Sequence, residues 1–169
     1  MSRPILEDAF GHHVWATLRL MDACAALAPE QLATTVPGTY GSIIETLRHL
    51  VGSDTWYLFR LSRERTKLID EEGMSLADLR AEMDRHGPAW AEVVGGDLDP
   101  DDDIVSRSDD GGTTHAPAGI RLAQVIHHGT DHRSQVCTAL TTLGIEPPAI
   151  DAWDYSDHLG RLVEVPPPS

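Results

Sequence analysis

The sequence predicts an all-α fold, a single bundle of four long amphipathic helices. Apolar residues return at helical spacing through four long segments of the chain. Capping residues precede two of those segments, and strand-like patterns are confined to one short stretch. Hydrophobic residues make up 41% of the 169 residues, which is enough to build one core. We therefore expect one helical bundle domain over residues 1–169.

The first two predicted helices are delimited by proline and by a capping pair. Residues 5–28 carry an apolar stripe that Pro29 interrupts, and they form the first predicted helix. Ser42 and Glu45 have the spacing of a capping box, in which both side chains satisfy free amides at a helix start. The second predicted helix starts there and ends in the charged stretch 63–65.

The third predicted helix contains a proline. Ser75 and Asp78 repeat the capping spacing at its start, and glycines at 95–96 end it. Pro88 falls inside the apolar pattern, where proline removes a backbone donor and crowds the preceding turn. We therefore expect a kink or a break near residues 86–87.

The last part of the chain combines a change of pattern with a fourth helix. Residues 97–117 hold an acidic run, a short apolar stretch and a glycine pair, which predict a short hairpin. Helical spacing returns over residues 119–143 and stops at Gly144, so this segment is the fourth predicted helix. The tail at 151–165 predicts a short C-terminal helix.

Charge and cysteine usage exclude several classes of function. The chain has 27 acidic and 13 basic residues and a formal net charge of -14, which repels phosphate backbones, so we expect no nucleic-acid partner. The sequence predicts neither a membrane span nor a signal peptide, because it lacks the necessary apolar runs. Cys24 and Cys137 are far apart and neither has CxxC spacing, so we expect a cytoplasmic protein. Because a lone cysteine is most often a small buried hydrophobic residue, we do not expect Cys137 to be a nucleophile.

Histidines provide the strongest local signal for function. Three of the nine histidines fall within residues 127–132. On a helix, His128 and His132 share one face, whereas His127 points away from them. An HxxxH pair arises often by chance, so a metal site needs a third ligand. His49, near the edge of the apolar stripe of the second predicted helix, is the best candidate, and three ligands would leave open positions on a metal ion.

Three segments carry a resemblance to a known family. They are HVWATLRL at residues 13–20, ETLRHL at residues 45–50 and HHGTDHRSQ at residues 127–135. In these segments the chain resembles the DinB-like superfamily, also called the DinB/YfiT group of metal-dependent enzymes. The resemblance implies an up-down-down-up four-helix bundle that binds one zinc or nickel ion, frequently within a homodimer. The metal ligands that it implies are His49, His128 and His132.

Three positions near the implied site leave alternatives open. Asp131 and Ser134 stand where the family often has histidine and glycine, but neither change removes a metal ligand. Asp131 is either solvated or orients a ligand imidazole, and solvation is favoured because Asp131 lies about 100° around the helix from His132. His13 either lines the pocket or is exposed.

The resemblance and the chemistry of an open metal site leave three functions that the sequence does not separate. The first is a metal-dependent transferase that activates a low-molecular-weight thiol and acts on a small-molecule substrate, because bound zinc or nickel deprotonates a thiol at neutral pH. The second is a metal-dependent hydrolase in which a metal-bound water replaces the thiol and Glu45 or another nearby group accepts and donates protons. The third is a non-catalytic protein that binds a metal ion or a small molecule.

Overall fold

The structure is a computed structural model that describes residues 5–108, 110–165 and 167. Helices dominate these residues, and two strands form one small sheet. In chain order the elements are α1 (Ile5–Cys24), α2 (Pro29–Leu32), α3 (Ile43–Leu61), α4 (Leu76–Gly95), β1 (Asp103–Arg107), β2 (Thr113–Pro117), α5 (Ala118–Thr142) and α6 (Ala152–His158). The predicted helical architecture is therefore confirmed in outline. The limits of a single domain over residues 1–169 stay a prediction.

Both predicted capping boxes form. At the start of α3 the backbone N–H of Glu45 donates to the Ser42 hydroxyl at 3.3 Å, and the backbone N–H of Ser42 donates to the Glu45 carboxylate at 2.8 Å. Ser75 and Asp78 exchange the same two bonds at the start of α4, at 3.2 and 3.3 Å. Such caps stabilise a helix by about 1 kcal/mol each, so the beginnings of α3 and α4 are fixed locally by sequence.

Of the predicted kink or break near residues 86–87, the break is wrong, because α4 runs through Pro88 as one helix, and the kink stays a prediction. The reason lies in which side of α4 faces the core. His86 and Trp90, on either side of the proline, are both buried and hold the two halves of the helix against the bundle. Pro88 and Asp84 are exposed, so water can bind the Asp84 carbonyl that lacks its usual amide partner.

Four short elements accompany the long helices: α2, β1 and β2 lie in the connections between them, and α6 follows α5. β1 pairs antiparallel with β2, with Val105 opposite His115, which confirms the predicted hairpin. α6 confirms the short C-terminal helix. The sequence did not predict α2 as a separate helix: α1 ends at Cys24 rather than at residue 28, and Pro29 occupies the first turn of α2, where proline is well tolerated.

Packing of the long helices places α3 beside α5. α1 packs against α4 and α5, and α3 packs against the same two helices. Phe10 of α1 and Trp90 of α4 meet in the core with ring centroids 4.5 Å apart. This arrangement agrees with a helical bundle, while the up-down-down-up order of its helices stays a prediction. Among the described residues, no helix combines the length and the apolar character that a membrane span requires.

Candidate metal centre

Three histidines converge where α3 packs against α5. His49 comes from the middle of α3, and His128 and His132 lie one turn apart on α5. The Nε2 atom of His128 is 3.0 Å from Nε2 of His49 and 3.1 Å from Nε2 of His132. One ring nitrogen from each of the three residues lies within 4.8 Å of the others. The structure thus brings together the three residues that the sequence predicts as metal ligands.

Hydrogen bonds among the three rings account for only part of this convergence, and its geometry also fits a shared metal ion. Each imidazole nitrogen carries either one N–H or one lone pair in the ring plane, so Nε2 of His128 completes a hydrogen bond with only one of its two neighbours. With metal–nitrogen bonds of about 2.0–2.1 Å, two ligand nitrogens lie about 2.9 Å apart at a right angle and about 3.3 Å apart at the tetrahedral angle. The two short distances at His128 fall inside that interval. The residues therefore fit a divalent ion.

Gln135 sets the tautomer of His132. The backbone N–H of Tyr40 donates to Oε1 of Gln135 at 3.0 Å, which identifies that atom as the amide oxygen. Nδ1 of His132 lies 3.0 Å from the same oxygen and therefore donates to it. A neutral His132 then carries its lone pair on Nε2, which faces His128. Gln135 was not predicted from the sequence, although its position three residues after His132 on a helix was a usable signal.

Burial favours the uncharged form of His49 and His128. Burial, together with the nearby charges of His132 and His49, lowers the pKa of His128 to about 4. Burial also lowers the pKa of His49, with a further decrease from His132, whereas the Glu71 carboxylate opposes the change. Uncharged rings expose nitrogen lone pairs near neutral pH, which is the state that binds metal.

A cavity of about 480 Å³ opens beside His49. The residues that line it with His49 are Tyr40, Gly41, Glu45, Arg48, Glu71 and Glu72. The Tyr40 ring stacks on the His49 ring, with centroids 4.0 Å apart and planes inclined by 11°. Gly52 makes room for the Glu71 carboxylate, because any side chain at position 52 would overlap that group. The cavity gives a small molecule access to one side of the histidine cluster.

Glu45 lines this cavity but is engaged in the cap of α3. The hydroxyl of Ser42 donates to the Glu45 carboxylate at 2.6 Å. This bond and the bond from the Ser42 backbone lower the pKa of Glu45. A carboxylate with a lowered pKa is a weak proton acceptor, so the geometry does not favour the role of proton carrier that the hydrolase interpretation gives to Glu45.

The other candidates near the site lie on different surfaces of α5. Asp131 is exposed, and the partner of the His132 Nδ1 atom is Gln135 rather than Asp131. Cys137 is half-buried, and burial raises the pKa of its thiol, so it is protonated near neutral pH. His127, which the helical spacing turns away from His128, is also exposed.

The sequence did not predict a buried polar network that lies behind the three histidines. The carboxylate of Asp54 accepts hydrogen bonds from Nε2 of His13 at 3.0 Å, Nδ1 of His86 at 2.6 Å and Nε1 of Trp90 at 3.0 Å. His13 is therefore neither a pocket-lining residue nor an exposed one, since it is 1% exposed inside this network. Asp54 lies on α3, five residues after His49, in no motif that would have identified it. The network links α1, α3 and α4 through one carboxylate.

Arg133 extends the network to α5. Its Nη1 atom lies 3.0 Å from Nδ1 of His13, and because guanidinium only donates, that Nδ1 accepts and the His13 proton is on Nε2, facing Asp54. Burial lowers the pKa of Arg133 to about 10, and Asp54 opposes that change. Burial alone would raise the pKa of Asp54, but its interactions with His13 and His86 hold it below the ordinary range. A charged pair, Asp54 and Arg133, is thus joined through an uncharged imidazole next to His132.

The comparison with known proteins agrees with this architecture. The sequence model of the DinB family matches residues 1–161. This span includes all four long helices and the three converging histidines. No curated protein matches the chain. Because the family model covers nearly the whole sequence, the chain belongs to the DinB family.

Proposed function

We propose that this DinB-family chain is a metal-dependent transferase that activates a low-molecular-weight thiol at His49, His128 and His132. The observation that carries the proposal is the convergence of three ring nitrogens on one point, with 3.0 and 3.1 Å separations at His128. Imidazole nitrogens suit both zinc and nickel, and these are the ions we expect. Membership of the DinB family supports a metal-binding role.

In this proposal some residues of the site bind the metal ion, and others line the path of the substrate. Three neutral imidazoles provide three ligands, which leaves coordination positions for small molecules. A divalent ion held there would lower the pKa of a bound thiol, so that a thiolate forms at neutral pH. Gln135 holds His132 in the tautomer that ligation requires. The cavity of about 480 Å³ beside His49 would accept the electrophile.

The chain's own cysteines are poor nucleophiles, which favours a thiol supplied from solution. Burial raises the pKa of Cys24 to about 12, and the Cys24 side chain is fully buried. Burial raises the pKa of the Cys137 thiol as well. Both therefore remain protonated near pH 7, and a protonated thiol is a weak nucleophile.

Elemental analysis followed by a thiol panel tests the proposal. After exposure to Zn²⁺ or Ni²⁺, untagged protein is expected to retain about one ion per chain. A variant with His49→Ala, His128→Ala and His132→Ala is expected to retain none, and the matched control His127→Ala, an exposed neighbour, is expected to retain the ion. Equal metal content in the wild type and the triple variant would overturn the site.

Turnover then separates the enzyme classes. With the metal-loaded protein, the sulfur of a small thiol is expected to replace the chlorine of a chloronitrobenzene, so that a C–S bond forms, the C–Cl bond breaks, and chloride and the thiol proton are released to solvent; His128→Ala is expected to lose this activity. Hydrolysis of an ester without any thiol would identify a hydrolase instead. A bound ion without turnover across both panels would identify a binding protein.

A further inference from the structure

A second cavity, of about 400 Å³, lies between α3, α4 and the loop that joins them. Two α3 residues, four α4 residues and the loop segment 66–69 line it. The helical residues are Thr55, Leu58, Glu82, Arg85, His86 and Ala89. None of these described residues lines the cavity beside His49. The proposed function makes no use of this space.

The walls of this cavity, called here the α3–α4 cavity, are mainly apolar and its floor is polar. Leu58, Ile69 and Ala89 contribute apolar walls, and Leu68, which is 52% exposed, extends the apolar surface to the mouth. Thr55 and His86 form the buried polar part of the lining. A volume of several hundred Å³ with apolar walls and few polar groups is typical of cavities that bind small molecules.

The polar floor is held in place by the buried network. Nδ1 of His86 is bonded to the Asp54 carboxylate at 2.6 Å, and Nε2 of His86 lies 3.2 Å from the Thr55 hydroxyl. The Thr55 hydroxyl in turn lies 2.9 Å from the Val51 carbonyl, to which it donates. Fixed floor groups reduce the entropy lost when a ligand is bound. The cavity is thus formed before any ligand arrives.

The charge of the lining indicates the sign of a ligand. Lys67 and Arg85 are its cations and Glu82 is its anion. Nε of Arg85 donates to the Glu82 carboxylate at 3.1 Å, so these two charges compensate each other. Lys67 leaves the lining positive in a chain whose formal net charge is -14. A local positive charge beside apolar walls favours a ligand that has an apolar body and one negative group.

We propose that the α3–α4 cavity binds a small amphipathic carboxylate. Its apolar part contacts Leu58, Ile69 and Ala89, and its carboxylate pairs with Lys67. If each non-hydrogen atom takes a volume close to that of a water molecule, about 30 Å³, a cavity of this size holds about a dozen such atoms. A medium-chain fatty acid has that size. The proposal is independent of the metal centre.

Titration of the metal-free full chain with octanoate tests this proposal. With ¹³C-labelled methyl groups, the signals of Leu58, Leu68 and Ile69 are expected to shift in a saturable manner, while those of Ile126, which lines a different cavity, stay in place. Octylamine is expected to bind about fivefold more weakly, because it loses the pairing with Lys67. Acetate, which lacks the tail, is expected to cause no shift. Unchanged methyl signals with octanoate would overturn the proposal.

Two variants with matched controls separate the charge from the cavity. Lys67→Glu is expected to weaken octanoate and strengthen octylamine, each about fivefold, whereas Arg107→Glu on the exposed face of β1 leaves both unchanged. Ala89→Phe fills the cavity and is expected to weaken octanoate at least about tenfold, whereas Ala81→Phe on the exposed side of α4 has no effect.

If Ala89→Phe does not fold, Lys67→Glu still tests the proposal, because Lys67 is an exposed loop residue whose replacement leaves the core intact. Equal affinity for octanoate and octylamine that Lys67→Glu does not alter would contradict the assigned carboxylate. Octanoate affinity that is unchanged in a folded Ala89→Phe protein would contradict the assigned cavity.

Discussion

Gln135 shows how one uncharged residue determines whether a histidine is ready to bind metal. Its amide oxygen is identified by the Tyr40 backbone N–H and fixes the proton of His132 on Nδ1. Without that acceptor, a neutral His132 ring is free to place its proton on Nε2, where it would block ligation. Outer hydrogen-bond partners of this kind often change metal affinity by about 10–100-fold.

Replacement of Gln135 by leucine is therefore expected to weaken zinc binding by about tenfold or more, because His132 loses its acceptor. Gln135→Glu retains an acceptor oxygen and is expected to bind at least as tightly as the wild type. Competition with a chromophoric chelator measures both affinities. Gln124→Leu, at an exposed position of the same helix, is the control, and equal affinity of Gln135→Leu and Gln124→Leu would refute the role of Gln135.

Gly129 lets the His13 ring approach α5. A Cβ atom at this position would overlap the ring carbon and nitrogen of His13 and stand 2.9 Å from Nη1 of Arg133. Alanine is normally the better helix former by about 1 kcal/mol, but here the overlap opposes that gain.

We expect Gly129→Ala to lower the free energy of unfolding by about 1–3 kcal/mol, as measured by urea denaturation. At Gly95, the last residue of α4, an added Cβ meets only Glu7 at an ordinary 3.7 Å, so Gly95→Ala is the control and should change stability little. A Gly129→Ala protein more stable than wild type would show that His13 moves aside at no cost.

At the level of the elements, local signals predicted the long helices and failed where tertiary packing decides. Apolar spacing and two capping pairs were sufficient for α3 and α4, because those signals act within a few residues. α4 does not break near residues 86–87, because burial of His86 and Trp90 holds both halves of the helix. Which side chains another helix buries is decided only when the bundle assembles. The spacing of residues within one segment does not predict it.

The Asp54 network joins the four long helices by hydrogen bonds as well as by apolar contacts. α1 provides His13, α3 provides Asp54, α4 provides His86 and Trp90, and α5 provides Arg133. An asparagine at position 54 would turn its NH₂ group toward groups that are themselves donors. It would also leave the buried positive charge of Arg133 without the compensating carboxylate. Removal of one partner from a buried charged network costs about 3–5 kcal/mol.

Asp54→Asn is expected to lower the free energy of unfolding by about 3–5 kcal/mol near pH 7. The folded-state pKa of Asp54 lies below its ordinary value, so its contribution is complete above the unfolded-state pKa, about 4, and is lost as the pH falls toward the folded-state value. Wild type should therefore lose stability more steeply than Asp54→Asn below about pH 4 in urea denaturation. Asp84→Asn, at an exposed position of α4, should keep the wild-type profile, and equal slopes for Asp54→Asn and wild type would contradict the ionised state of Asp54.

For the whole molecule, the candidate site was predictable only in the parts that follow from spacing or from resemblance. His128 and His132 were paired by helical spacing alone, whereas His49 became a candidate through its place in α3 and through the family resemblance. Gln135, Asp54 and the two cavities were not predicted, because each depends on residues that are far apart in sequence and meet only after the helices pack.

The distance in sequence between the proposed ligands would couple metal binding to the folded state. His49 and His128 are separated by 79 positions, so the unfolded chain does not hold them together. A ligand that binds only the native state stabilises it by about 2.7 kcal/mol when its free concentration is one hundred times its Kd. For a chain of this size, that energy raises the thermal midpoint by about 5–10 °C.

Scanning calorimetry with added Zn²⁺ is expected to show this increase for wild type and for His127→Ala, and a chelator should reverse it. The triple variant with His49→Ala, His128→Ala and His132→Ala is expected to unfold at the same temperature with and without Zn²⁺, because no native site remains to be stabilised. An equal increase in the triple variant would place the ion elsewhere on this acidic surface. A wild-type midpoint that does not respond to Zn²⁺ or Ni²⁺ would mean that the three rings converge without binding either ion, and the convergence would then need a different explanation.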